Sequence, residues 1–126
     1  MECYDAASEM WRAVSAMGEA RRDFAMCELA GDLYVCGGIV NTGPSSSVTR
    51  YTPSTYTWSA VAVMPELNAM HNACAVDESI YGMSGFSTSV FRYDSNADSW
   101  SEVAPMPESR IWMRVLWEPT CTSLME

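Results

Sequence analysis

The chain has 126 residues, room for one domain of ordinary size. Sixteen acidic residues stand against seven basic ones, all Arg, for a net charge of −9. That balance argues against nucleic acid and against an anionic membrane surface, since both are held by clustered cations. No apolar run approaches the roughly 20 residues of a membrane helix, and no basic region followed by an apolar run marks a signal peptide.

In chain order, residues 1–17 carry Tyr4, Trp11 and Met17. The same spacing returns as Tyr51, Trp58 and Met64, and again as Tyr93, Trp100 and Met106, at offsets of 47 and 42 residues. Three matched triplets define an internal repeat. Between Met17 and Gly38 the first unit lies over Met64 to Gly85 without a gap, placing Tyr34 on Tyr81 and Cys27 on Cys74. The five-residue difference falls after the Gly, where "IVNTGPSSSV" occupies a loop that can lengthen cheaply.

Each unit reads as four short strands. They are predicted near 23–29, 32–36, 48–51 and 58–62, and near 70–76, 79–83, 90–93 and 100–104. "TPST" and "DSNAD" are the turns between third and fourth strands. No stretch sustains a 3.6-residue apolar period, so helix is not expected. Tyr51 and Trp58 are expected on one hairpin face, between neighbouring sheets. Gly37-Gly38 is expected to take positive φ or pass close to adjoining backbone. Small residues at 25, 27, 73 and 75 suit the narrow inner end of a wedge. The division predicted is 1–17 as the outer two strands of a partial blade, 18–64 and 65–106 as full repeats, and 107–126 as the start of a further repeat. Arg110 follows Met106 by four residues, as Arg21 follows Met17. Beyond Arg110 the landmarks stop, and the remainder reads as a divergent tail whose Ile111, Trp112, Leu116 and Trp117 could cover a bare edge.

These landmarks resemble the kelch motif: Arg21 sixteen residues before Gly38's partner Gly37, then Tyr51, Trp58 and Met64. Asn68 at the place of Arg21, Ser84 at that of Gly37, and Thr52 for the Asp of Tyr-Asp are departures. The resemblance implies an all-β, kelch-type β-propeller built of four-stranded antiparallel blades, here an incomplete open arc. An arc leaves faces and strand edges bare, so marginal stability or self-association through open blade edges is expected.

Catalytic constellations are hard to assemble from these residues. His71 is the single His and is read as a strand-end residue. Five Cys without Cys-x-x-Cys spacing are read as reduced thiols and imply no metal site, no cofactor and a cytoplasmic location. The chain is therefore expected not to be an enzyme. In kelch domains the loops leaving strand two and entering strand one share a face on which protein partners dock. The resemblance places Arg22, Asp23, Asn41, Met70, His71, Phe86 and Arg110 on that face. Arg22 is the candidate for an acidic partner group, and Arg21 for bracing its own blade. Three functions stay open: a protein-interaction module, the substrate-recognising part of a BTB-kelch adaptor of a cullin ubiquitin ligase, or the remnant of a kelch-like enzyme.

Overall fold

A computed structural model describes residues 1–66, 71–84, 87–106, 114–118 and 121–125; residues 71 and 84 and the last two segments are described through their backbone. The described chain is all β. The strands are β1 (Glu2–Asp5), β2 (Met10–Ala13), β3 (Ala25–Leu29), β4 (Asp32–Cys36), β5 (Ile39–Val40), β6 (Gly43–Pro44), β7 (Val48–Thr52), β8 (Thr57–Val61), β9 (His71–Val76), β10 (Ser79–Ser84), β11 (Val90–Asp94), β12 (Ser99–Val103), β13 (Arg114–Glu118) and β14 (Cys121–Met125). None of the described residues forms a helix long and apolar enough to cross a membrane.

Two four-stranded antiparallel sheets, β3-β4-β7-β8 and β9-β10-β11-β12, are complete blades of a kelch-type propeller. Their strands fall within one or two residues of the predicted ranges. Each fourth strand starts one residue early because the registers pair Thr52 with Thr57 and Asp94 with Ser99. Besides β1-β2, two hairpins lie outside these sheets. The loop after Gly38 holds a small one that was not expected, β5-β6, with Ile39 opposite Pro44. Within 107–126, expected as the start of a further repeat with a divergent tail, lies β13-β14, with Arg114 opposite Met125.

The recurring aromatics sit where the strand period requires. Tyr4 lies opposite Trp11, Tyr51 opposite Trp58, and Tyr93 opposite Trp100. Their ring centroids are 5.3, 5.0 and 5.2 Å apart. The recurring Met has a separate reason. Met64 and Met106 are buried, and each donates its backbone N–H to the loop before strand three, at Ser46 and Thr88. The Asp of Tyr-Asp is a turn former: Asp94 accepts from the Asn96 N–H at 2.9 Å, and Asp5 does the same for Ala7. Where Thr52 replaces it, the turn closes through backbone, from the Thr55 N–H to the Thr52 carbonyl at 3.2 Å.

One hydrophobic core fills the space between the two blades. It joins Tyr34, Cys36 and Val48 of the first to Ile80 and Tyr93 of the second, with Ala25, Cys27, Ala73 and Ala75 around them. Strand β3 lies alongside β9, so the small inner residues let two sheets approach at the narrow end of the wedge. Burial pushes the Cys27 thiol up to about 12, with the neighbouring Cys74 adding to it. Burial raises Cys36 and Cys74 as well. All three are free and remain thiols near neutral pH, behaving as small apolar groups.

Polar contacts then fix how one blade sits on the next. Trp100 donates from Nε1 to the Ala62 carbonyl at 2.9 Å, and Trp58 donates to Ser15, one unit earlier, at 2.7 Å. Asp98 accepts from the Ala62 N–H at 2.9 Å and from the Tyr93 hydroxyl at 2.8 Å. The Ala62 bond and then the Tyr93 bond hold the Asp98 carboxyl below its ordinary range. A lowered folded pKa stabilises above the unfolded value and loses that contribution as pH falls through the folded one. Asp98→Ala is therefore expected to lower the melting temperature at neutral pH, and the gap to the native chain is expected to shrink as pH falls below about 4. A gap independent of pH in calorimetric melts would show that the carboxylate is not the group acting here.

Candidate functional site

The left-handed Gly pair builds the site. Gly37 and Gly38 have φ of 63° and 92°, which turns the chain off β4 and back across the entry to β3. There Arg22 and Ile39 form an isolated antiparallel bridge, with the Arg22 N–H donating to Ile39 at 3.0 Å and the Ile39 N–H to Arg22 at 2.7 Å. The bridge brings the loop leaving strand two against the segment entering strand one. Between them lies a pocket of about 440 Å³ lined by Ala20, Arg21, Arg22, Ile39, Val40 and Asn41.

The two arginines on the pocket do different things. Arg21 turns inward. Its Nη1 donates to the carbonyls of Gly37 (2.9 Å) and Ser47 (3.3 Å), and its Nη2 to the Ser47 hydroxyl (3.0 Å). It thus ties the end of β4 to the start of β7 with a charge-assisted fork, the bracing role expected of it. Its Nε is buried without a hydrogen-bond partner.

Arg22 turns outward. Its side chain is 74% exposed, and it meets the Asp23 carboxylate at 3.3 Å. An ion pair this exposed holds the guanidinium weakly and leaves most of its donors to solvent. Asp23 itself adopts a left-handed φ of 53°.

The structure therefore brings together Arg22, Asp23 and Asn41 of the predicted face. His71 opens β9 opposite Ser84, the strand-end position expected, but its side chain lies outside the description. Met70, Phe86 and Arg110 lie outside the described residues. Sequence reasoning did not single out Ala20, Ile39 and Val40, the apolar part of the lining. The one available signal was the apolar pair directly after the Gly pair, which reads as ordinary loop until the bridge to Arg22 is seen. Among the described residues no group of three or more His, Cys, Asp or Glu side chains could hold a metal ion.

Known proteins share these features. The family model for the kelch motif matches residues 20–65 and 68–107, which are the two complete blades and their flanks. The chain is 32% identical over 82 residues to Kelch-like protein 36 of Bos taurus, an alignment covering 65% of this chain and 13% of that protein. It is 38% identical over 64 residues to the human Kelch repeat and BTB domain-containing protein 13, covering 51% of this chain and 14% of that one. Kelch-like protein 35 of Mus musculus is 32% identical over 86 residues, covering 68% and 14%. The chain thus spans about one seventh of the length of these curated relatives. Repeat spacing, blade topology and family match agree: this chain belongs to the kelch-repeat family.

Proposed function

We propose that the chain is a protein-docking module whose pocket beside Arg22 receives a short acidic segment of a partner. The observation that carries this reading is the contrast between the two neighbouring arginines. Arg21 spends its fork on the Gly37 and Ser47 backbone, whereas Arg22 presents its fork at the pocket rim. A guanidinium offered this way recognises a carboxylate in two-point geometry. Ile39, Val40 and Ala20 beside it suit an apolar residue next to the acidic one. Asn41 adds an amide that can both donate and accept. Peptides selected from a displayed random library on the full chain are expected to carry Asp or Glu beside an apolar residue. Arg22→Glu is expected to weaken their binding at least about tenfold, the loss of one good charged contact. Selected peptides free of acidic residues, or binding indifferent to Arg22→Glu, would count against the reading.

A second reading is that this module is the substrate-recognising part of a BTB-kelch ubiquitin-ligase adaptor. It is favoured by the likeness to a relative whose name pairs the kelch repeat with a BTB domain. Reconstitution of the gene product with purified cullin scaffold tests it, and absence of a complex would remove it.

A further inference from the structure

Arg21 and Arg22 both line the pocket of about 440 Å³. Two guanidinium groups on one small cavity are an arrangement that suits a phosphate. A phosphate carries close to two negative charges and three strong acceptor oxygens, so paired Arg side chains hold it more strongly than they hold a carboxylate. The groups that Arg21 touches do not cancel its charge. Its Nη donors go to the carbonyls of Gly37 and Ser47 and to the Ser47 hydroxyl, all of them neutral, and its Nε is buried without a hydrogen-bond partner. Judged by its cations alone, the pocket would favour a phosphorylated segment over a plain acidic one.

Asp23 changes that balance. It is not part of the pocket wall, yet its carboxylate lies 3.3 Å from Nη1 of Arg22. Neighbours along an extended chain place their side chains on opposite faces, so Arg22 and Asp23 would not ordinarily meet. Arg22 is held extended in its antiparallel bridge to Ile39. The left-handed φ of 53° at Asp23 breaks the alternation and lets the carboxylate turn back onto the Arg22 side chain. Among residues other than Gly, Asn and Asp take that conformation most readily. Asn would meet the backbone requirement without a charge, so the bend itself does not account for the carboxylate.

We propose that Asp23 is the specificity-determining residue of this pocket: it offsets one of the two positive charges and so fits the site to a single carboxylate rather than to a phosphate. This rests on the docking of an acidic segment at Arg22 and adds which anion is accepted. A carboxylate meets the Arg22 fork in two-point geometry while the Asp23 side chain, 47% exposed, swings into solvent nearby. Asp23 then repels whatever charge the ligand brings. The repulsion scales with that charge, so a phosphate near −2 meets about twice the penalty of a carboxylate at −1. The net charge of −9 acts in the same direction. The partner segment is therefore an unmodified one, with Asp or Glu beside an apolar residue, and a phosphorylated Ser is not its equivalent here.

Two N-acetylated dipeptide amides, Asp-Leu and phosphoserine-Leu, serve as probes, titrated into the full chain and followed by NMR at a pH above the second phosphate pKa of about 6. The native chain is expected to bind the Asp probe at least as tightly as the phosphoserine probe. Asp23→Asn keeps the left-handed bend and is expected to tighten the Asp probe about threefold and the phosphoserine probe about tenfold, reversing their order. A native chain that prefers the phosphoserine probe, or an Asp23→Asn gain that is absent or equal for the two probes, would overturn the proposal. Arg22→Glu separates this inference from the docking it rests on. If both probes weaken on Arg22→Glu while Asp23→Asn changes neither, the docking stands and only the role of Asp23 falls. If neither probe binds, or both ignore Arg22→Glu, the two fall together. The order of the probes on the native chain decides the matter even where Asp23→Asn fails to fold.

Discussion

Replacing Gly38 by Ala is expected to destabilise the chain by roughly 3 kcal/mol or more, the combined scale of a strained backbone and an overpacked contact. At φ +92° an added Cβ would lie 2.6 Å from the Arg22 carbonyl oxygen and 2.9 Å from the Phe24 Cβ. Neither neighbour can give way easily. The Arg22 oxygen is fixed by the Ile39 N–H at 2.7 Å, and both flank the entry to β3. Gly31 supplies the comparison, because its φ is +87° but nothing stands within 4 Å of its missing Cβ. Gly31→Ala is expected to cost only about 1 kcal/mol, the conformational part alone. Denaturant midpoints of the two variants measure the difference, and equal costs would show that the close approach at Gly38 is not real. Gly38→Ala should also lose the peptide binding assigned to Arg22, because the bridge that shapes the pocket runs through the crowded atoms.

Ile80→Ala is expected to cost about 2–5 kcal/mol, the range for emptying a fully buried aliphatic site. Ile80 is fully buried between the blades, paired with Tyr93, whose ring lies 5.7 Å from that of Tyr34 in the preceding blade. Leu33 holds the corresponding place one unit earlier, opposite Tyr51, and is half-buried. Leu33→Ala should cost less than half as much, since Leu33 is only half-buried. Chemical denaturation of the two variants reads the difference. Equal costs would mean that stability in this chain does not come from the contact between the two complete blades.

Much of the blade architecture was legible because its landmarks are few and chemically demanding. An aromatic pair across a hairpin, a left-handed Gly pair and a capping Met each do something that few residues can do. So Tyr51, Trp58, Gly37, Gly38 and Met64 mark strand ends without help from tertiary structure. The β5-β6 hairpin escaped because two-residue strands carrying Gly43 and Pro44 show no alternation to read. For 107–126 the Met106 to Arg110 spacing led to the expectation of a further repeat, but the bounds of the β13-β14 hairpin could not be read, because the Tyr and Gly-pair landmarks that mark strand ends do not recur beyond Arg110. On the candidate site, the resemblance already set Arg21 apart as a brace and Arg22 as the candidate contact; what each one touches, Arg21 folded onto Ser47 and Arg22 left at the rim, needed the structure.

The turn joining the third and fourth strands of each unit places its last residue in the left-handed region: Glu9 at φ 56°, Tyr56 at 55° and Asp98 at 49°. The backbone there is common to all three, while the side chain differs each time and, at Tyr56 and Asp98, meets the preceding unit. Asp98 meets Ala62, and the ring of Tyr56 lies under the Arg12 guanidinium, 5.5 Å from its centroid. A shape held constant with a variable group at its tip works like a key cut on a standard blank. Each of these two seams is therefore matched by its own corner residue, Asp98 to the Ala62 backbone and Tyr56 to Arg12, on one shared turn shape.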